Sequence, residues 1–184
     1  MTFDDFLALV ISRRTQLVMD QTRDVDPKLV EKLCEAAAWA PNHQQTWPWR
    51  FGVFTGESRR GLGEVAAEAM KRRGDAENKV EKTRTKYLRA PVIIVVGTAP
   101  GDSELQTEEN RDAVAAGIQN LLLGATAMGL GSFWSSCPKG ANDDVSRHCG
   151  WDPGTHVTAI IYLGWPTRTL PDRERPAPAI THFS

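Results

Sequence analysis

The spacing of apolar residues in the first third of the chain predicts two helices followed by a strand. Thr2 with Asp5 forms a capping pair, after which apolar side chains recur at helical spacing, at Phe3, Phe6, Leu7, Val10 and Ile11. A second helix begins at the pair Asp26-Pro27, a favoured N-cap and first-turn combination, and ends before Pro41. The segment WRFGVF, residues 49–54, is predicted to be a short apolar strand.

The same periodicity predicts alternating helices and strands in the rest of the chain. Residues 57–88 indicate two exposed, charged helices broken near Gly74. The segment APVIIVVGTA, residues 90–99, is a nearly continuous β-branched run, typical of an interior strand buried on both faces. The longest helix is predicted at 107–128. Strands follow at about 131–135 and 156–164, with a short helix between them that ends near Gly150.

The longest predicted helix carries small or apolar residues along one stripe. The stripe consists of Ala113, Ala116, Gly117, Asn120, Leu121 and Gly124. Small side chains there allow another helix backbone to approach closely. A helix in the core of the chain explains this stripe, and a helix that crosses its own symmetry mate explains it equally well.

Length and composition predict one globular domain, residues 1–184. Apolar residues make up 41% of the 184 residues and charged residues 24%, both ordinary for a globular protein. The segment 166–184 holds four prolines and little periodicity, so we expect an extended carboxyl-terminal arm. The net charge of −1 gives no reason to expect nucleic acid or an anionic membrane as a partner.

Location is predicted from the apolar runs and the cysteines. No apolar run approaches the ~20 residues of a membrane span, and the amino terminus lacks a signal-peptide pattern. The three cysteines are odd in number and have no CxxC spacing, which favours unpaired thiols in a reducing compartment. We therefore expect a cytoplasmic protein with no membrane partner.

Several kinds of catalytic site are missing from the sequence. There is no GxGxxG after a strand, no GxxxxGK[ST] and no GxSxG. None of the four histidines has a helical i, i+4 histidine partner, so no metal site is predicted. Glu108-Glu109 is interpreted as the solvated acidic start of the longest helix rather than as an acid/base pair. No side chain is predicted to act as a catalytic nucleophile or base.

Four short segments carry a resemblance that the periodicity alone does not give. They are ISRRT (11–15), APNHQQTWPW (40–49), GLGSFWSSC (129–137) and IIYLGWPTR (160–168). In this order, across nearly the whole chain, they resemble the nitroreductase family of FMN-dependent oxidoreductases, specifically its small single-domain bacterial branch. The resemblance implies an α+β fold, with a central, mostly antiparallel sheet flanked by helices. It also implies an intertwined homodimer with FMN at the interface.

The resemblance implies that paired basic residues and a hydroxyl hold the FMN phosphate, here Arg13, Arg14 and Thr15. It gives Arg168, after the last strand, the same role. Arginine suits a phosphate because its planar fork donates two charge-assisted hydrogen bonds. The alternative for Arg13 and Arg14 is that they only complement the exposed carbonyls at the end of a helix. The alternative for Arg168 is an ordinary surface arginine.

The same resemblance places two further segments beside the flavin. Pro41, Asn42 and His43 would contact the ring and ribityl chain of the flavin bound mainly by the other subunit. Trp49 is expected to pack in the core. The strand residues Phe133, Trp134, Ser135 and Ser136 would form a wall at the flavin's redox edge, where a backbone N–H faces N5. Trp134 is either a lid on the ring or a core residue.

Two positions depart from the family pattern. Trp47 stands where the family has the glutamine of QPW, so the pocket is expected to be narrower. Leu17 stands where the pattern RRSxR ends in a cation that could stabilise charge at N1 of the reduced flavin. Lys82, Arg84 and Lys86 are the candidates to replace that cation; otherwise the flavin potential is expected to be lower.

The function implied by the resemblance is an FMN-dependent reductase that uses NADH or NADPH. Reduced nicotinamide would deliver hydride to flavin N5, and a small electron-poor acceptor such as a nitroaromatic or quinone would then take it, in a ping-pong cycle. One alternative is a flavin-binding carrier or sensor without turnover, which a pocket closed by Trp47 would favour. Another is an interaction domain that binds no flavin.

Overall fold

A computed structural model describes residues 2–171 and 173–183 of the chain. In chain order the elements are α1 (Phe3–Ser12), α2 (Pro27–Ala38), β1 (Trp49–Thr55), α3 (Ser58–Arg72), α4 (Glu77–Lys86), β2 (Val92–Thr98), α5 (Glu104–Ala127), β3 (Gly131–Ser135), α6 (Asn142–His148) and β4 (His156–Gly164). The predicted order of helices and strands is confirmed, and the ends agree to within a few residues.

The strands form one sheet in the order β1-β2-β4-β3, and every neighbouring pair is antiparallel. The α+β prediction is therefore confirmed. All seven residues of β2 are buried, as its continuous apolar run predicted. Alternate residues of β2 and β4 face opposite sides of the sheet. One side packs against α2 and α5, and the other packs against α3 and α6.

The helix starts follow from capping. Thr2 Oγ1 accepts from the Asp5 N–H at 3.1 Å, and the Thr2 N–H donates to Asp5 Oδ2 at 2.7 Å, so the predicted capping box is confirmed. Asp26 Oδ1 accepts from the Lys28 N–H at 2.9 Å. The helix α5 begins three residues earlier than predicted because Ser103 caps it, accepting from the Gln106 N–H at 3.1 Å.

The small-residue stripe of α5 packs against α2 of the same chain. A Cβ added at Gly117 would lie 2.4 Å from the Ala37 carbonyl oxygen, so only glycine permits this approach. The Asn120 amide donates to the Ala36 carbonyl oxygen at 3.3 Å. At these positions the stripe is that of a core helix, and the symmetry-mate explanation is not needed. Ala116, on the edge of the stripe, is exposed.

One sequence interpretation needs correction. The charged helices at 57–88 were expected to be exposed, but α3 buries one full face, with Leu62, Ala66, Ala67 and Met70 at its centre. Alanine at these positions lets α3 lie close to the sheet and to α4, and the flanking charges hid this narrow apolar face in the sequence.

The chain after β4 contains no helix or strand within 167–171 and 173–183. Pro166 forms an isolated bridge with Met19. Cys34, Cys137 and Cys149 are half-buried and form no disulfide, and burial raises the pKa of each thiol, to about 11, 11 and 12 respectively. No helix in the described part of the chain is both long and apolar enough to cross a membrane.

Candidate functional site

The segment that follows α1 lies between the end of β4 and the start of β3. Thr15 pairs with Ser132 in an isolated parallel bridge, and the Gln16 N–H donates to the Ser132 carbonyl oxygen at 2.9 Å. Further along, the Asp20 N–H donates to the Trp165 carbonyl oxygen at 2.9 Å. These backbone bonds bring the Arg13-Arg14 pair beside the first residues of the carboxyl-terminal arm.

A groove of about 980 Å³ opens between α1 and this arm. Its distinguishing feature is its cations. Five arginines line it (Arg13, Arg14, Arg168, Arg173 and Arg175), and among the described residues one acid, Glu174, lines it with them. The remaining lining residues are neutral: Val10, Ile11, Thr15, Leu17, Gln119, Leu170 and Pro171. The predicted phosphate residues Arg13, Arg14, Thr15 and Arg168 thus share one groove.

The electrostatics of the groove favour an anion. Partial burial lowers the pKa of Arg13, and repulsion from Arg175 and Arg14 lowers it further. Within residues 2–171 and 173–183, no ion pair joins Arg13, Arg168, Arg173 or Arg175 to a carboxylate. Cations grouped in this way produce a concentrated positive potential that a bound anion would relieve.

Arg14 performs the helix-end role that was weighed for it. Its guanidinium donates to the carbonyl oxygen of Ile11, in the last turn of α1, and to that of Arg13, the residue that follows the helix. These bonds fix the side chain at the mouth of the groove. The helix-end role and the phosphate role are therefore compatible at this residue.

Arg173 and Arg175 line the groove although no motif in the sequence predicted it. The arm has no periodicity, so nothing along the chain indicated that it returns to α1. The pair Arg173 and Arg175, with one residue between them, places two cations on the same side of an extended segment. Two arginines at this spacing, a few residues after Arg168, could have indicated that the arm adds cations to the phosphate site.

The turn 41–47 lies away from the groove, against the first turns of α5. Three non-glycine residues of the turn have backbone angles in the left-handed region: Gln44 (φ 58°), Gln45 (φ 53°) and Trp47 (φ 50°). Each such residue costs about 1–3 kcal/mol unless the surroundings enforce it. Side-chain hydrogen bonds supply that enforcement.

Asn42 and Asn110 are the centre of these hydrogen bonds. Asn42 Oδ1 accepts from the Trp47 N–H at 2.9 Å, and Asn42 Nδ2 donates to Thr46 Oγ1 at 3.0 Å. Thr46 in turn donates to Oδ1 of the buried Asn110 at 2.5 Å, and Asn110 Nδ2 donates to the Ala99 carbonyl oxygen at 3.2 Å. The Asn42 side chain, expected to face the flavin, is thus occupied in holding its own turn.

His43 and Pro41, the other predicted residues of this turn, are exposed. His43 Nδ1 lies 2.9 Å from Glu109 Oε2 on α5. Next to the turn, Trp49 is buried with 8% of its surface exposed, as its expected core role requires. Trp47 is 60% exposed, with its ring centroid 6.4 Å from that of Trp49.

The four predicted wall residues lie on and just after the edge strand β3. Phe133 packs against Tyr162, with 5.3 Å between ring centroids, so it belongs to the core on that side of the sheet. Trp134 points to the opposite side and is 38% exposed, so it is not a core residue. Ser135 is half-buried, and its hydroxyl donates to the carbonyl oxygen of the exposed Ser136 at 3.3 Å. In a single chain, neither the wall residues 133–136 nor the turn 41–47 lines the arginine groove.

Comparison with known proteins decides the family. A model described as "Nitroreductase family" matches residues 10–165, which span all the strands and every helix from α2 onward. The chain belongs to the nitroreductase family.

Individual relatives of this nitroreductase-family chain are distant but align over nearly all of it. Two share 26% of residues and carry the name "Putative NAD(P)H nitroreductase". YdjA of Escherichia coli (strain K12) aligns over 97% of this chain and 100% of its own length. YfhC of Bacillus subtilis (strain 168) aligns over 95% of this chain and 91% of its own length.

Solved structures confirm the nitroreductase fold. A nitroreductase-like family protein from Bacillus cereus matches with a TM-score of 0.81 and 24% identity, over 96% of this chain and 94% of that one. A nitroreductase with bound FMN from Bacteroides fragilis matches with a TM-score of 0.78 and 20% identity, over 97% and 98% of the two chains. At these identities the likeness establishes the fold.

The departure of this chain from the family pattern at Leu17 is visible in the structure. Leu17 lines the groove and is exposed, so no cation occupies that place. Of the candidate replacements, Arg84 is held by three carboxylates, those of Glu64, Glu68 and Glu81. Lys86 lies over the Tyr87 ring, 4.9 Å from its centroid, and burial lowers its pKa. Neither Lys82, Arg84 nor Lys86 lines the arginine groove.

Proposed function

We propose that this nitroreductase-family protein is an FMN-dependent oxidoreductase that takes electrons from NADH or NADPH. The observation that carries the proposal is the arginine groove. Arg13, Arg168, Arg173 and Arg175 converge there without carboxylate partners among the described residues. The names of YdjA and YfhC, and the FMN in the Bacteroides fragilis structure, support the same proposal.

The residues of the groove fit the phosphate of FMN. A phosphate monoester is close to a dianion at neutral pH and has three acceptor oxygens. The groove offers several guanidinium forks and the hydroxyl-bearing residue Thr15. Arginine forks match phosphate geometry with two parallel hydrogen bonds each. In this proposal Arg13, Arg14, Thr15 and Arg168 hold the phosphate as the sequence predicted, and Arg173 and Arg175 join them.

The protein's contribution to the reaction is binding and positioning. When bound, the flavin supplies the redox chemistry, passing hydride from nicotinamide to an electron-poor acceptor such as a nitroaromatic or quinone in a ping-pong cycle. The exposed Pro41 and His43, the backbone of Asn42, and the β3 wall (Phe133, Trp134, Ser135 and Ser136) form the surroundings of the ring. No general acid or base from the chain is required, and none is proposed.

We further propose that the active form is a homodimer that completes the flavin site. The helix α1 has no buried residue, and Phe3 is 73% exposed on its apolar face. An amphipathic helix leaves such a face open only where a partner covers it. A second copy of the chain would cover it symmetrically and would bring its turn 41–47 toward the first copy's groove. The α5 stripe takes no part in this contact, because Gly117 and Asn120 pack against α2 of the same chain.

We also propose that the chain forms a single domain and acts in the cytoplasm. The arm from residue 166 onward would belong to that domain through Arg173 and Arg175 rather than forming a unit of its own. Three half-buried cysteines without a disulfide suit a reducing compartment.

The test is anaerobic reduction of the purified protein. The protein should carry FMN, and its yellow absorbance should bleach within seconds of adding NADH or NADPH, then return on addition of a nitroaromatic or quinone. Bound flavin that stays oxidised would favour the carrier or sensor. A colourless protein that does not take up added FMN would contradict flavin binding altogether.

A further inference from the structure

The side chain of Gln16 ties together the two segments that carry the arginines. Gln16 is 5% exposed, although glutamine is rarely buried. Its Nε2 donates to the Arg168 carbonyl oxygen at 3.0 Å, and its Oε1 accepts from the Val18 N–H at 3.1 Å. One amide therefore joins the chain after α1 to the chain after β4.

The neighbouring backbone is shaped around this side chain. A Cβ added at Gly131 would lie 2.6 Å from Gln16 Cγ and 3.0 Å from Gln16 Cβ. The Gln16 N–H donates to the Ser132 carbonyl oxygen at 2.9 Å. Three segments, those around residues 16, 131 and 168, thus meet at one buried amide.

We infer that Gln16 is a positioning residue for the phosphate of the flavin. This rests on the proposed function. Gln16 is neutral and lines a smaller cavity that shares Arg14 and Arg168 with the arginine groove, but it does not line the groove itself. Its hydrogen bond holds the backbone at Arg168, four residues after the end of β4, and with it the start of the arm that carries Arg173 and Arg175. The two segments that carry Arg13 and Arg168 are then joined before the phosphate binds, so less order must be gained on binding.

The amide is suited to this task because it donates and accepts at once. A donor is needed for the Arg168 carbonyl oxygen, which lies beyond the end of β4 at Gly164 and outside the sheet's hydrogen bonding, and an acceptor is needed for the Val18 N–H. A methionine of similar length would fill the space and satisfy neither group. The segments would keep the backbone bonds from Asp20 and Thr167 but would lose the link nearest to Arg168.

Comparing the affinities for FMN and riboflavin separates the contribution of the phosphate from that of the rest of the flavin. The two ligands share the ring and the ribityl chain and differ only in the phosphate group. We expect Gln16→Met to weaken FMN binding roughly tenfold, and riboflavin binding by less than about twofold, in titrations of flavin-free protein. Gln21→Met makes the same chemical change at an exposed position five residues away and should leave both affinities unchanged.

A second variant covers the case in which Gln16→Met does not fold. Gly131→Ala leaves the amide intact and displaces it, and should also lower the ratio of FMN to riboflavin affinity. An equal loss of both affinities in the folded variants would show a general structural role, and an unchanged ratio would show no role; either overturns the inference. If wild-type protein binds neither flavin, the proposed function itself fails. If it binds both equally, the phosphate site fails and the inference with it.

Discussion

The backbone N–H of Trp47 donates to the side-chain oxygen of Asn42 across a 2.9 Å hydrogen bond. This bond closes a turn in which Gln44, Gln45 and Trp47 all have left-handed backbones. The strain is maintained by polar contacts to α5, and its effect is to present an indole ring at the surface. The main role of the Asn42 side chain is therefore to hold the indole ring of Trp47 in place.

Removing the Asn42 amide should release the turn. We expect Asn42→Ala to lower the free energy of unfolding by about 1–2 kcal/mol, because it leaves the Trp47 N–H without its acceptor and removes the donor to Thr46 Oγ1. Urea denaturation measures this change. Asn78→Ala, at an exposed position of α4, is the matched control and should change stability by less than about 0.5 kcal/mol. Equal stability of the two variants would mean that the turn needs no brace.

Trp47 should limit the size of the electron acceptor. Trp47→Gln removes the ring, so we expect the variant to keep FMN and to reduce bulky nitroaromatics or quinones more than about twofold faster than the wild type. Trp39→Gln is the control, since Trp39 is 81% exposed at the end of α2 and outside the turn. Steady-state rates over a series of acceptors of increasing size provide the measurement. Rates within twofold of wild type would exclude Trp47 from the pocket.

The arginine groove makes a quantitative prediction for FMN affinity. Arg13→Ala, Arg168→Ala and Arg175→Ala should each remove charge-assisted bonds of about 1.5–3 kcal/mol, or roughly ten- to hundredfold in FMN affinity. Arg111→Ala, at an exposed position of α5, should have no effect. Titration of flavin-free protein gives the values. Full FMN occupancy in the Arg13→Ala, Arg14→Ala double variant at micromolar protein would refute the phosphate assignment.

Substitution by leucine should destabilise the fold at one residue of α5 and have little effect at the residue next to it. Gly117→Leu forces a side chain against the Ala37 carbonyl oxygen and should destabilise the fold by about 3 kcal/mol. Ala116→Leu, one position away and exposed, should fold normally. Thermal unfolding of both variants distinguishes them. A Gly117→Leu variant that keeps its wild-type midpoint would mean that α2 and α5 do not pack as closely as the structure indicates.

The apolar face of α1 is the place to test the dimer. Phe3→Glu combined with Leu7→Glu should produce monomers that also lose FMN, because both positions are exposed in the single chain and would be buried by a partner. Leu105→Glu is the control, at a position 66% exposed in the first turn of α5. Sedimentation recorded at protein and flavin wavelengths follows assembly and occupancy together. A stable monomer with one full equivalent of FMN would refute the shared site.

The order of elements was predictable because it depends on local periodicity. The strand β2 was predicted from its own residues, since a strand buried on both faces has no polar positions. The sequence could not predict which helix packs on the α5 stripe. A glycine such as Gly117 allows close approach of any helix backbone, whether that helix belongs to the same chain or to a second subunit. The structure was needed to show that the stripe faces α2.

The candidate site was predictable only where it coincides with a motif. Arg13 and Arg14 lie in a recognisable segment, whereas Arg173 and Arg175 reach the groove through an arm without regular structure. The left-handed backbones of Gln44 and Trp47 could not be predicted either, because neither residue type favours that region. They are imposed by Asn42 and Asn110, whose contacts depend on the whole fold.

The strand order has a consequence for how the chain is made. Strand β2, apolar on both faces, has β1 on one side and β4 on the other, and no strand follows β4 among the described residues. During synthesis β2 therefore waits with one edge unpaired until residues 156–164 emerge from the ribosome. An unpaired apolar strand is a template for aggregation. Premature termination anywhere between β2 and β4 would leave a fragment that needs a chaperone to stay dispersed.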